Sequence, residues 1–511
     1  MKKILTILGA AMMAMPLFAQ GPADAILFSR SDYEGSARTI SMGNAFTALG
    51  GDVGAISINP AASGLYRYME FSITPGLLNT GAKTTYFGNT YKDSGTRGVL
   101  SSAGFVAPIF IRDDGGTFSI NIGFTANRIK SFDSNIAAYG YNSNTTMLGS
   151  IAASIEGVNQ ADLTKTDTYE PYLDSDLPWN AILAWDCYGI NPREDLDNSY
   201  IAATEYLGSD GYPHMAGTLF NIYEAHTTGG IQEFSCNLGL NIHDNFYLGA
   251  NINLHSVDYT LDEYFSEEAS TDAQTLNSFM SMTSNYWQRT TGSGLNVKFG
   301  AIYAPTTHLR FGFTYQTPTW YTLTDNWQRS MQTSFVTDTY YNTSPIGNFT
   351  YTVKSPGRWG LGAAFVGSST IFSFDYERAN YGKMRMADEN NNTIPFSYDN
   401  TVIQNSFKSA GSLRLGFEQW IGNTALRLGY ARHSSPGTLS NYTYPKLRYF
   451  SCGMGFLLGK SVTLDLAYQR CLSKQDYSFE CFEGYDGMEG PVAYVNRMNV
   501  NKFLASVAIR F

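Results

Sequence analysis

Between Lys502 and the terminal Phe511, Phe503, Ala505, Val507, Ile509 and Phe511 alternate with Lys502, Leu504, Ser506, Ala508 and Arg510. A period of two ending on an aromatic is the pattern of a strand with one face on hydrocarbon and the other on a wet lumen. It constrains the chain to a closed antiparallel cylinder, because a strand edge exposed to lipid leaves backbone groups without partners. The terminal Phe511 is also the group that the barrel-assembly machinery would read.

Composition agrees with that reading. Hydrophobic residues make up 43% and charged residues 15% of the chain, as expected where only alternate positions are apolar. No stretch of 18 or more uncharged apolar residues follows the leader, which argues against a helical membrane span. The leader itself, Lys2 and Lys3 followed by an apolar run from Ile4 to Phe18 and small Ala19, reads as a signal peptide over residues 1–19. The net charge of −10 comes from scattered acids without a basic cluster, which argues against nucleic acid as a partner. Five cysteines is an odd count, so at least one thiol is left over within the chain. Cys471 and Cys481 are candidates for a bridge, and parity puts Cys236 and Cys452 on the lipid face.

Alternating segments after about residue 66 number roughly fourteen, joined by connections of two length classes. Short turns fall at 112–116, 243–245, 305–308, 367–370, 421–424 and 459–461. Long connections are expected near 81–95, 131–229, 259–291, 323–350, 384–407, 434–446 and 478–497. Short periplasmic turns and long external loops are the asymmetry of bacterial barrels. The fold class is therefore all-β: a 14-stranded antiparallel transmembrane barrel over residues 67–511. Parity sends Phe246, Leu248, Ile252, Leu254, Leu295 and Phe299 to lipid. It sends Asn121, Asn251, Asn253, His255, Lys298, Arg310, Asp375, Glu377, Arg414, Glu418, Arg427, Asp465 and Gln469 inward.

The connection 131–229 is too long to be structureless; helix-like stretches around 147–156 and 179–188 make it a partly helical external cap. Within it Trp179, Ile182, Leu183 and Trp185 form an aromatic and apolar cluster, which either receives a greasy ligand or packs the cap on the rim. Residues 20–66 do not alternate and are rich in Gly, Ala and Ser. They suit a plug, or hatch, folded inside the pore, where small side chains allow close packing.

The hatch carries Gly35-Ser36-Ala37-Arg38, Ser41-Met42-Gly43-Asn44-Ala45-Phe46, Gly51-Asp52 and Asn59-Pro60-Ala61. In order and spacing these resemble the FadL/TodX family of outer-membrane transporters. The resemblance implies a hatch whose gate residues are Gly35, Arg38, Met42, Gly43, Phe46, Gly51, Asp52, Asn59, Pro60 and Ala61. It also implies hydrophobic solutes such as fatty acids or aromatic hydrocarbons, captured outside, passed to an apolar luminal site and released through the wall beside a kinked third strand. On this sequence that strand runs from Thr117 to Lys130, and Gly123 is the candidate weak point. The location implied is the outer membrane of a Gram-negative bacterium, with its lipid and lipopolysaccharide as surroundings, and no cofactor or metal is required. The residues supply no nucleophile and base together at the lipid face, so no catalytic residues are assigned. A surface binding barrel, or a haem receptor using His214 and His226 with Met215 nearby, is the alternative.

Overall fold

The alternation beyond residue 69 is realised as one closed sheet, described here from a computed structural model. It describes residues 21–511 except 33, 87, 114–115, 144, 271–277, 440–441 and 478–493. The signal peptide and Cys481, with its expected bridge, lie outside the described residues, as does most of the connection 478–497.

The wall consists of β1 (Glu70–Tyr86), β2 (Asn89–Asp113), β3 (Gly116–Ser131, continued by Ser134–Asn142), β4 (Leu219–Ile242), β5 (Phe246–Ala269) and β6 (Phe279–Tyr303). Next come β7 (Leu309–Gln316, continued by Trp320–Phe335), β8 (Gly347–Lys354 and Arg358–Val366) and β9 (Thr370–Asn380, continued by Arg385–Asp388). Finally come β10 (Ser409–Ile421), β11 (Thr424–His433), β12 (Leu447–Leu458), β13 (Val462–Tyr477) and β14 (Tyr494–Arg510). Each pairs antiparallel with its sequence neighbour, and β14 pairs with β1 from Glu70↔Arg510 to Thr85↔Val495, which closes fourteen strands into a barrel. The Arg510–Glu70 ion pair at 2.8 Å and the Phe511 amide on Met69 O at 3.0 Å secure that closure at the short-turn end.

The expected faces are observed. Phe246, Leu248, Ile252, Leu254, Leu295 and Phe299 are exposed on the outside, as are Cys236 and Cys452, while Asn121, Asn251, Lys298, Glu418 and Arg427 are enclosed. A charge at the bilayer midplane costs roughly 2–4 kcal/mol, so the sorting of Arg414 and Arg427 inward is a condition of assembly.

The long connections are shorter than the sequence suggested because the strands run on past the membrane. β2 and β6 have 25 residues each and β4 and β5 have 24, whereas about 10 tilted residues cross a bilayer. The expected loop 81–95 is a hairpin paired through Tyr86↔Asn89, and 259–291 contracts to the segment between Ala269 and Phe279. The cap is likewise narrower than 131–229: Ser134–Asn142 pairs with Leu219–Thr227 as wall. Polar residues replaced the lipid-facing apolar ones above the membrane, which erased the alternation that marks a strand.

What remains of the cap, residues 143–218, holds α3 (Met147–Ser154), α4 (Gln160–Leu163), α5 (Pro171–Asp174) and α6 (Trp179–Asp186), with two small hairpins. The hatch is two helices earlier in the chain, α1 (Pro22–Ser29) and α2 (Ala37–Ser41), and two 3₁₀ turns, Val53–Ser57 and Pro60–Leu65.

Candidate functional site: the hatch, the chamber above it and the wall seam

The hatch is seated on wall positions that lack a side chain. An added Cβ at Gly249 would overlap the Pro60 backbone, one at Gly300 would overlap Asn59 Oδ1, and one at Gly312 would overlap Thr47 O. On the opposite arc Gly416 and Gly429 face Met42 and Gly43, and Gly453 faces Ser41. These glycines let hatch backbone lie directly on sheet backbone, and any larger residue would force overpacking of about 1–3 kcal/mol.

Each motif residue has a structural part in this seat. Asn59 caps the second 3₁₀ turn, accepting from the Ala61 amide at 3.0 Å and donating to Thr47 O at 2.5 Å. Pro60 occupies the first turn, where its missing N–H is not needed, and its carbonyl accepts from Asn237 at 3.0 Å. Asp52 caps the first 3₁₀ turn through the Gly54 amide and accepts from Ser36 Oγ at 2.7 Å, while Gly35 O accepts from Ser101 on the wall. Gly43 and Gly51 have φ of +64° and +66°, the left-handed region that favours glycine. Met42 and Phe46 are buried, and Arg38 lies over the Phe46 ring at 5.5 Å.

Arg38 ties the hatch electrostatically to the far wall. Its guanidinium grips Glu418 with two bonds, 2.9 and 3.0 Å, and donates to Gly51 O. Arg427 also holds Glu418 at 2.6 Å and bridges to Asp465 at 2.6 Å. Two cations and two carboxylates therefore balance in a buried row. On other arcs Lys502 meets Glu34 at 2.6 Å, the Thr47 amide meets Asp375 at 2.8 Å, Lys298 meets Ser57 O, and Arg310 meets Leu49 O at 2.7 Å. Of the inward charges predicted from parity, Lys298, Arg310, Asp375 and Glu418 contact the hatch, whereas Arg414 pairs with Glu377 at 3.0 Å and Arg427 with Asp465 within the wall.

Above this polar floor the lumen turns apolar. Ile129, Phe132, Ile231, Val257, Tyr259, Tyr321, Leu323, Tyr351, Met384 and Met386 from the wall, with Phe396, Ile403 and Phe407 in and after α7 (Ser397–Ser406) and the segment before it, form one buried cluster. The chain itself fills its centre: Ala25, Ile26 and Phe28 of α1 belong to the same cluster. Phe28 meets Phe132 at 5.7 Å and Tyr259 at 6.2 Å, edge to face. The expected plug over residues 20–66 includes α1, but nothing in its eight residues distinguished an apolar surrounding from the polar floor met by the rest of the hatch.

The chamber abuts a discontinuity in the wall. The β2–β3 ladder runs from Asp113↔Gly116 to Ser102↔Asn127 and stops, and above it β2 pairs only with β1 among the described residues. Gly123 lies inside the regular part, opposite Val106 and Asn237, so it is not where the strand yields. The register shift falls at Ile129, between Arg128 and Lys130. There Ile129 and Phe132 both turn inward, and across from them Gly229 adopts φ +107°. Bulges of this kind need no glycine in the bulged strand, which is why composition did not reveal it. The seam is held by ion pairs: Asp133 takes Arg97 of β2 at 2.9 Å and Arg128 at 2.9 Å.

The expected capture residues sit in the cap core. Ile182 and Leu183 are enclosed there. Trp179 is half-buried against Tyr172 and Trp327, and Trp185 against Tyr200. The Trp327 contact fastens α6 to the rim, and the other two pack the cap on itself. His214 lies in a cap hairpin against Asp210, whereas His226 is on β4, beside Asn135, and is wall rather than cap. Nearby, Glu267 accepts from Thr146 and from the Met147 amide at the start of α3, each at 2.8 Å, and Glu205 accepts from the Ala202 amide at 3.1 Å. Burial pushes both carboxyls up to about 7.

No known family model matches the chain, and no curated protein matches it by sequence. Among solved structures it is similar to a FadL homologue from Pseudomonas aeruginosa, at 12% identity over 94% of this chain and 99% of that one, TM-score 0.51. It is likewise similar to the P. putida toluene transporter TodX, at 12% identity with the same coverage, TM-score 0.50. With its fourteen strands closed and its faces sorted, the chain has the fold of the FadL and TodX outer-membrane barrels.

Proposed function

We propose that this barrel admits hydrophobic compounds, fatty acids or aromatic hydrocarbons, from outside the cell by passive diffusion. The observation that supports it is the buried apolar cluster, packed around α1, above a polar, tightly bound hatch and next to the seam in the wall. An apolar solute gains about 0.8 kcal/mol per CH₂ on leaving water. The chamber offers that environment without crossing the charged floor. In this reading α1 occupies the chamber in the resting state and is displaced by solute. The solute then leaves sideways where β2 and β3 part, into the membrane, with no energy source needed. The likeness to a toluene transporter supports the substrate class.

The exit is assigned to the segment Arg128–Asp133 rather than to Gly123. Residues Gly35 to Ala61 act as the floor that keeps the lumen closed to ions and polar solutes. Deleting residues 22–29 should raise uptake of a labelled hydrophobic solute and leave sugar uptake unchanged. Unaltered uptake across a panel of fatty acids and aromatics would count against the proposal.

A further inference from the structure

The outer surface of the barrel carries a recess of about 600 Å³ on the short-turn half of β7 to β11. In the sheet register Ala363 stands directly between Phe311 and Phe374. It is therefore a notch in a row of aromatics, and the next row toward the turns is continuous: Phe365, Phe372 and Phe417. The wall here lies close on the hatch, since Gly312, Gly416 and Gly429 bring the strands onto Thr47, Met42 and Gly43. The outer concavity is the far side of that close approach.

We propose that this recess is a specific seat for an acyl chain of a periplasmic-leaflet phospholipid. It is continuous with the lipid-facing belt, so hydrocarbon covers it. Its volume falls within the roughly 300–1,000 Å³ of small-molecule sites, and its lining is mainly apolar, with the Arg310 and Ser373 side chains turned inward and Tyr430 at its edge. The leaflet follows from position: the recess begins at Leu309, one residue beyond the turn that ends at His308. The exposed His308 ring stacks on Phe365 at 6.1 Å. It places a hydrogen-bonding group where the headgroup and ester region would be. Filling the seat braces the thin wall against the hatch from outside.

The test uses the full chain in vesicles of phosphatidylethanolamine bearing a diazirine on one acyl chain. Photolabelling mapped by mass spectrometry is expected to favour Phe372, Phe374 and Phe417 at least fivefold over Phe299 and Leu248 on another part of the wall. Ala363→Trp should remove that preference and leave Phe299 labelling unchanged, and Ala363→Leu should halve it or more in case the tryptophan variant fails to assemble. Even labelling around the belt would overturn the proposal, as would preference untouched by both variants. Cross-links between two copies at Phe374, or selective labelling by diazirine-bearing lipopolysaccharide instead, would overturn the occupant.

Discussion

Glu418→Gln isolates the electrostatic hold on the hatch. Glu418 is fully enclosed, grips Arg38 with two bonds and takes a third from Arg427. The substitution keeps the shape but removes the carboxylate the two guanidinium groups share, leaving Asp465 on Arg427 and only the more distant Asp52 and Asp465 charges near Arg38. Removing one partner of a buried pair costs about 3–5 kcal/mol; the 18% exposure of Arg38 places the effect at the lower end. At about 1.4 kcal/mol per decade, the docked hatch should lose roughly a hundredfold or more in its equilibrium with an undocked state. Hydrogen exchange reads this directly. Amides from Ile40 to Asn59 should lose about two decades of protection, while strand amides in β5 and β6 hold theirs. The double variant Arg38→Met, Glu418→Leu leaves Arg427 and Asp465 as a neutral pair and should recover most of the protection. If the single variant protects its hatch within threefold of the parent, or if the double variant is as loose as the single, the hatch is not held by this charge row.

Three further outcomes follow from the chamber, the seam and the cap. Phe28→Ala removes a buried ring from the chamber and should weaken α1 docking by about 3–5 kcal/mol, read as tighter binding of a fluorescent fatty acid in a titration. Asp133→Ala should raise the uptake rate of a hydrophobic solute; it removes ion pairs at a partly exposed staple, so the melting temperature should move by no more than about 1 kcal/mol implies. Where the cap meets the wall, the carboxyls of Glu205 and of Glu267 on β5 are raised from 4.5 to about 7. Folding therefore favours their protonated forms, and the stability they contribute is fully present below about pH 4.5 and lost as pH rises through about 7. Exchange protection of α3 should fall between pH 5 and 8, and Glu267→Gln should flatten that profile.

Sequence reasoning reached the wall because a membrane enforces it. A residue such as Phe299 or Arg414 has only one tolerable face, so parity carried strand number and orientation together. Where the wall rises above the membrane that rule lapses: nothing in residues 81–95 or 134–142 distinguishes a solvated strand from a loop, and both were expected as connections. The hatch was legible as a non-alternating, small-residue segment, and its motif residues do converge on the floor. Its seat was not, because Gly249, Gly300 and Gly429 are ordinary barrel glycines until the backbone lying on them is seen. Gly123, the expected weak point, sits in regular pairing, and the register shift lies farther along the strand at Ile129. A bulge at Ile129 arises from how β3 leaves β2 and turns Phe132 inward, a tertiary choice with no local residue signal.

The most direct measurement is photolabelling with a diazirine-bearing fatty acid, followed by mapping of the adducts. Modification of Phe132, Tyr259, Met384 and Met386 around α1 is expected, competed away by excess unlabelled fatty acid. Adducts confined to outward residues such as Leu248 and Phe299, with none in the chamber, would contradict it.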